Sequence, residues 1–174
     1  ALLAMTLRNE KVNSKSYTAF QLGLRTDDYH GKARINSIDI ENILKDISAD
    51  ITPVITGFQG INEEGDITTL GRGGSDTSAV ALAVALKAEE CQIYTDVDGV
   101  YTTDPNVYEK AKKIDKLTFE EMLELSSLGA KVLQIRSVEF ASKYNMPIRV
   151  KSSFTNDEGT LINGEENMEE ALIS

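Results

Sequence analysis

Apolar and polar positions repeat with two different periods along this chain, and the switches between them mark out its elements. Ala1 to about Leu7 is an apolar stretch that reads as the end of a helix. Lys15 to Phe20 alternates as a strand does and gives out at Gly23. Asp27 to Gly31 is polar and turn-like. Ile40, Ile43, Leu44 and Ile47 recur at helical spacing within 38–47, and Ile51 to Phe58 is β-rich, with Pro53 near the start where a strand tolerates it. Gly57, Gly60 and Gly65 then punctuate an acid-rich loop.

After Gly74 the pattern changes. Ser75 to Ala88 carries small apolar residues on nearly every side, which predicts a helix buried all round. Cys91 to Thr95 predicts a strand, and Asp98-Gly99 a turn before Val100-Tyr101-Thr102. Thr118-Phe119-Glu120-Glu121 has capping-box spacing, and Leu117 with Met122 fits a hydrophobic staple. That helix should stop near Gly129, with another from Ala130 to about Tyr144. Pro147 introduces a strand over Ile148 to Ser152. Strands and helices alternate throughout, which predicts an α/β domain with a largely parallel sheet.

Composition narrows the function. At 174 residues and 41% hydrophobic content, the chain fits one domain with a full core. Residues 152–174 hold six acids and no Lys or Arg, so they account for six of the ten net negative charges. No basic stripe suits a nucleic-acid backbone. The single cysteine, Cys91, rules out an internal disulfide and fits a reducing compartment such as the cytoplasm. The single histidine, His30, sits in a turn, and the composition supports neither a Ser-His-Asp triad nor a His/Cys zinc site. No run reaches membrane-span length, and Ala1-Leu2-Leu3-Ala4-Met5 is too short and lacks the basic start of a signal peptide. The opening without Met, inside a helix-like stretch, reads as a fragment. The acidic tail after Gly159 reads as a linker, giving a domain over 1–160 and a linker start over 161–174.

Two segments carry candidate chemistry. In Thr68-Thr69-Leu70-Gly71-Arg72-Gly73-Gly74-Ser75-Asp76 the glycines let the backbone turn tightly, and the following helix offers unpaired N–H groups and positive partial charge. Together these suit a phosphate, and Arg72 adds a planar cation for carboxylate or phosphate. The plainer reading is a mobile loop in which Ser75 merely caps a helix. Asp76 would repel phosphate unless a cation stands by, so the pattern fits a nucleotide site assisted by Mg²⁺ or lysine. No Gly-Lys-Ser/Thr follows, which excludes a Walker A loop. A dinucleotide fingerprint fits poorly because Asp76 takes the third glycine position.

The second segment is Tyr94-Thr95-Asp96-Val97-Asp98-Gly99-Val100-Tyr101-Thr102-Thr103-Asp104-Pro105. Asp96 falls where a strand's carboxyl end meets a turn, the usual ligand position in open α/β sheets. The spacing fails for a calcium loop. A plain hairpin turning at Asp98-Gly99 explains those two residues but not the Thr-Asp pairs at both ends. Lys131 opens the predicted 130–144 helix, where a lysine opposes the dipole unless it meets an anion; a solvated surface lysine fits equally well.

These segments, with Ser16-Tyr17-Thr18, Gly57-Phe58-Gln59-Gly60 and Gly129-Ala130-Lys131-Val132-Leu133, resemble the aspartokinases of the amino acid kinase family, in the family's order and over almost the whole chain. The resemblance implies a three-layer α/β sandwich with a largely parallel central sheet. It also implies transfer of the γ-phosphoryl of ATP, with Mg²⁺, to the β-carboxylate of L-aspartate, at the head of the lysine, threonine and methionine routes. Arg72, Gly73, Gly74 and Ser75 would bind aspartate, with Ser75 also beside the phosphates. Asp76 would orient active-site lysines, and Arg72 and Asp76 would be the catalytic pair. Thr95, Asp96, Tyr101, Thr102, Thr103, Asp104 and Lys131 would contact ATP, and no protein-held metal is implied. Homo-oligomers are expected.

Three departures bear on this expectation. The family's Lys-Phe-Gly-Gly segment and its Gly-Glu belong ahead of the stretch that opens at Ala1, so this stretch is expected to be inactive alone, and its tail is expected to lead toward paired regulatory domains. Asn106 and Gln134-Ile135 stand where many relatives carry Arg and His-Pro. The alternatives are a non-catalytic nucleotide-binding or assembly fragment, or another amino acid kinase such as glutamate 5-kinase.

Overall fold

The computed structural model describes residues 1–105, 107–128 and 132–164. The chain divides into two compact units, 1–86 and 87–174. In the first, helix α1 (Leu2–Asn9) leads to strand β1 (Ser14–Tyr17), a short helix α2 (Ala19–Leu22), strands β2 (Arg25–Thr26) and β3 (Ile35–Ser37), and helix α3 (Glu41–Ser48). Strands β4 (Thr52–Ile55), β5 (Gln59–Ile61) and β6 (Ile67–Thr69) precede helix α4 (Gly74–Leu86). β1 pairs in parallel with β4, Ser14 opposite Thr52 and Tyr17 opposite Ile55. The other sheet runs β3-β2-β5-β6.

The unit's core gathers Tyr17, Leu22, Leu24 and Ile43, with Ile35, Ile38, Ile55, Leu82 and Leu86 packed on it. Tyr17 also donates its hydroxyl to Asp46 at 2.5 Å, and Lys15 pairs with the same carboxylate at 3.1 Å, tying α3 to β1. The Tyr17 hydrogen bond, then Lys15, holds the Asp46 carboxyl below the usual carboxylate range.

Two expectations for this unit change. The strand expected through Phe20 ends at Tyr17, because Thr18 and Gln21 form a capping box that starts α2 and Gly23 closes it at φ 66°. The expected acid-rich loop contains an antiparallel hairpin, β5 with β6, closed by Asn62 accepting from the Asp66 N–H through its side chain. The helix expected over Ser75 to Ala88 ends at Leu86; no residue from Asp76 to Leu86 is exposed, whereas Ser75, Lys87 and Ala88 are.

The second unit holds strands β7 (Cys91–Thr95), β8 (Val100–Tyr101), β9 (Lys113–Ile114) and β10 (Lys116–Thr118), helices α5 (Phe119–Ser127) and α6 (Ile135–Tyr144), and strands β11 (Ile148–Ser152) and β12 (Thr160–Asn163). Its four-stranded sheet is ordered β10-β12-β11-β7. The capping box of Thr118 and Glu121 starts α5 as the sequence predicts. Phe119, Met122, Val138, Ile148, Val150 and Ile162 are buried.

The bend at Asp98-Gly99 leads into β8 as expected, and the plainer alternative of a β7–β8 hairpin is not what forms, since β8 pairs antiparallel with β9. Two expectations change here. The helix expected from Ala130 begins at Ile135, with Gln134 as its N-cap. The chain after Gly159 is not yet linker, since Thr160–Asn163 forms a strand between β10 and β11, with Thr160 and Ile162 fully buried.

The α/β class holds. Every parallel pair (β1 with β4, β2 with β5, β7 with β11, β10 with β12) joins strands separated by helix, and every antiparallel pair joins consecutive strands. Among the described residues no helix is long and apolar enough to cross a membrane.

Candidate active site

The glycine-rich segment of the first unit is a turn built against two neighbours. Gly71 has φ 80° and Gly73 φ 68°, both in the left-handed region. A Cβ on Gly71 would stand 2.7 Å from the Gly31 carbonyl oxygen, so the His30-Gly31 turn and this loop approach as only glycine permits. Gly74 N–H donates to the Gly71 carbonyl at 2.9 Å, and Thr77 donates both its N–H and its hydroxyl to the Gly73 carbonyl. The chain then enters α4, whose first-turn N–H groups point back along the helix axis.

Phe58 braces this turn. It is left-handed at φ 73°, unusual for an aromatic residue and a local cost on the order of 1 kcal/mol or more. Its carbonyl accepts from Leu70 N–H at 2.9 Å, and its N–H donates to the Ser78 hydroxyl at 3.2 Å. Its ring lies so near Gly74 that a Cβ there would come within 2.9 Å of Cδ2.

The sequence-predicted residues of this segment come together on the turn. Arg72 and Ser75 are exposed, Gly74 is buried, and Asp76 is partly buried in the first turn of α4. Ser75 donates its hydroxyl to Asp76 at 3.4 Å, a long bond. Burial raises the Asp76 carboxyl above its usual range, against the smaller lowering effect of Ser75. A carboxylate under that pressure is best kept charged by a cationic partner, which is what the sequence pattern implies.

In the second unit Thr95 closes β7 and donates its hydroxyl to Asp96 at 3.1 Å while accepting from Val97 N–H. Asp96 is exposed. Tyr101, on β8, donates its hydroxyl to both Asp98 oxygens at 3.0 and 3.1 Å, and Lys113 stands 4.0 Å from the same carboxylate. Asp98 raises the Tyr101 phenol above its ordinary value, with burial adding to it. Thr102 accepts from Lys112 N–H; Thr102, Thr103 and Asp104 are exposed, and the Asp104 carbonyl caps the turn at Val107 and Tyr108. Lys131, like Asn106 and the Gly129-Ala130 pair, lies outside the described residues.

Thr160 is the residue of this unit that sequence reasoning missed. Its buried hydroxyl accepts from Val100 N–H at 2.8 Å and donates to the Ile114 carbonyl at 2.6 Å, locking β8 and β9 to β12. Ser78 was missed likewise, and Phe58 was marked only within Gly57-Phe58-Gln59-Gly60, with no role of its own. A phenylalanine between glycines was a visible anomaly, whereas neither hydroxyl had any mark in the sequence.

A loop with two left-handed glycines running into a buried helix, on a fold of helix-linked parallel strands, defines a class, and the chain belongs to the amino acid kinase family, whose model matches residues 1–152. Within that family the chain is 61% identical over 176 residues to an aspartate kinase of Stutzerimonas stutzeri, covering 100% of this chain and 43% of that protein. It is 51% identical over 173 residues to an aspartokinase of Geobacillus stearothermophilus, covering 99% and 42% respectively. The crystal structure of E. coli aspartokinase III in complex with aspartate and ADP superposes with a TM-score of 0.86 at 36% identity, covering 95% of this chain and 38% of that one. The chain thus spans less than half the length of the curated relatives it matches.

Proposed function

We propose that the protein carrying this chain phosphorylates L-aspartate, transferring the γ-phosphoryl of ATP to the β-carboxylate and releasing ADP and 4-phospho-L-aspartate. The observation that carries the reading is 61% identity to an aspartate kinase across all of this chain, the turn at Gly71–Asp76 included. The E. coli relative was crystallised with aspartate and ADP, which supports the same substrate pair here.

The chemistry asks little of acid–base groups. The attacking carboxylate is already ionised, so no strong general base is needed, and rate comes from alignment and charge neutralisation. Arg72 pairs a substrate carboxylate through its planar fork, while the Gly73–Ser75 backbone holds the acceptor close to the first turn of α4. Asp76 orients a cationic partner that neutralises the transferring group. Thr95, Asp96, Tyr101, Thr102, Thr103, Asp104 and Lys131 bind the nucleotide.

Among the described residues no group of three or more His, Cys, Asp or Glu side chains could hold a metal. A magnesium ion would be held chiefly through nucleotide phosphates, the common arrangement for this ion. Its chemistry there is to neutralise phosphate charge. Self-association belongs to the same proposal and would be read from the mass in solution.

The test is ADP release by the full-length protein that carries this chain, with aspartate, glutamate or N-acetylglutamate as acceptor. Aspartate should turn over fastest by about 100-fold or more, since the wrong carbon length misplaces the carboxylate. Turnover with glutamate and none with aspartate would make the substrate assignment wrong.

A further inference from the structure

Phe58 grips the glycine-rich turn on both sides. Ahead of the turn, its carbonyl takes the N–H of Leu70, the residue before Gly71. Behind the turn its ring packs against Gly74, and its hydrogen-bonded grip is indirect, through the Ser78 hydroxyl. Ser78 accepts from Phe58 N–H at 3.2 Å and donates to the Ser75 carbonyl at 2.8 Å. The side chain is almost fully buried. The hydroxyl thus uses donor and acceptor at once, to join the loop after β4 to the first turn of α4.

The span between these two anchor points, Leu70 to Ser75, contains Gly71, Arg72, Gly73 and Gly74. Three of its residues are glycines with no side chains to hold the backbone in place. Its shape rests on a few fixed points: the Gly31 approach, the Gly74–Gly71 hydrogen bond, the Thr77 N–H and hydroxyl on the Gly73 carbonyl, and the Phe58 brace. Phe58 occupies a left-handed conformation that a phenylalanine does not keep without restraint. Removing the hydroxyl leaves its N–H without this partner and frees the peptide to relax away from Ser75.

We propose that Ser78 is a positioning residue for the acceptor end of the site, its buried hydroxyl fixing the distance between Phe58 and Ser75 and with it the placement of Arg72. Ser78 contacts no substrate; it acts through the backbone of the turn. The inference rests on the reading that Arg72 to Ser75 bind aspartate.

The test compares Ser78→Ala and Ser78→Thr with the parent protein, measuring KM for aspartate, KM for ATP, kcat, the melting temperature and the exchange rate of the Phe58 amide hydrogen. In Ser78→Ala the Phe58 amide exchanges faster and KM for aspartate rises about fivefold to tenfold, the size of one lost hydrogen bond. KM for ATP changes less than about twofold. Ser78→Thr keeps the hydroxyl and returns both the exchange rate and KM for aspartate toward the parent values.

Three results overturn the proposal. One is an unchanged aspartate KM in Ser78→Ala with an active parent protein, which leaves the kinase reading standing. Another is an equal rise in both KM values together with a lower melting temperature, the pattern of a merely structural serine. The third is a Phe58 amide whose exchange does not respond to Ser78→Ala, a readout that needs no substrate. An inactive parent would instead fault the kinase reading, while the exchange measurement still judges the brace.

Discussion

The two candidate segments reach their shapes by opposite means. At Gly71–Asp76 the backbone does the work: two left-handed glycines, a carbonyl packed against a Cα, and a buried helix beneath. At Thr95–Asp104 side chains do it, through Thr95 to Asp96, Tyr101 to Asp98 and Thr102 to the Lys112 N–H, mostly at the surface. A segment made of backbone tolerates no added atom, while one made of exposed polar groups loses its interactions one at a time. Substitutions in the first should therefore be nearly all-or-none and fall on the acceptor. Those in the second should be graded and fall on the nucleotide.

The largest effect is expected at Asp76. Asp76→Asn keeps the size but removes the charge that orients a cation, and kcat should fall about 100- to 1000-fold. Its stability should move the other way. Because burial raises the Asp76 carboxyl, the folded protein holds that proton more tightly than the unfolded chain does, and ionisation costs stability as pH rises above the ordinary carboxylate range. Asp76→Asn should thus melt higher at neutral pH, by no more than about 3 °C, and the gap should close below about pH 4. A lower melting point at neutral pH would contradict the assigned cause.

Gly71→Ala comes next. The left-handed φ and the 2.7 Å approach to Gly31 leave no room for a methyl group, so kcat/KM for aspartate should fall about 100-fold. Near-normal kinetics would break the contrast between the segments at its stronger side. In the second unit, Thr160→Val removes a fully buried hydroxyl with two partners, and should cost about 1–3 kcal/mol in denaturant unfolding. Because it holds β8 in place, KM for ATP should rise about tenfold while KM for aspartate stays near its parent value. Tyr101→Phe is the mildest, since Asp98 keeps Lys113 as a partner; KM for ATP should rise only about twofold to threefold. An effect on aspartate from either change would dissolve the division of labour.

The elements legible in the sequence are those specified by neighbours. Helix α4 announces itself by continuous small apolar residues, α5 by its Thr118–Glu121 capping box, and β7 and β11 by short stretches that alternate apolar with polar residues, β11 just after Pro147. Helix α2 was legible in principle, since Thr18, Gln21 and Gly23 carry the same start and stop marks, but its four residues were hidden in an alternating run. What escaped depends on distant partners. Strand β12 lies in a stretch that composition marks as tail, and becomes a strand only because β10 and β11 flank it. β8 pairs with β9 across an intervening loop, a partner that the nearer turn at Asp98-Gly99 does not reveal. The site divides likewise. The glycine-rich turn itself was legible, because two left-handed positions ahead of a buried helix call for glycine. The buried hydroxyls of Ser78 and Thr160 were not, because a serine or threonine within an element looks the same whether or not its oxygen joins two strands or loops.

The central claim concerns the bond that is made, and trapping the product tests it most directly. The full-length protein is incubated with ATP, magnesium, L-aspartate and hydroxylamine, and the aspartyl hydroxamate is identified by mass and by the carboxyl group that carries it. The account predicts hydroxamate on the β-carboxyl group in step with ADP release, with both lost in Asp76→Asn. ADP released without hydroxamate, or hydroxamate on the α-carboxyl group, would contradict it.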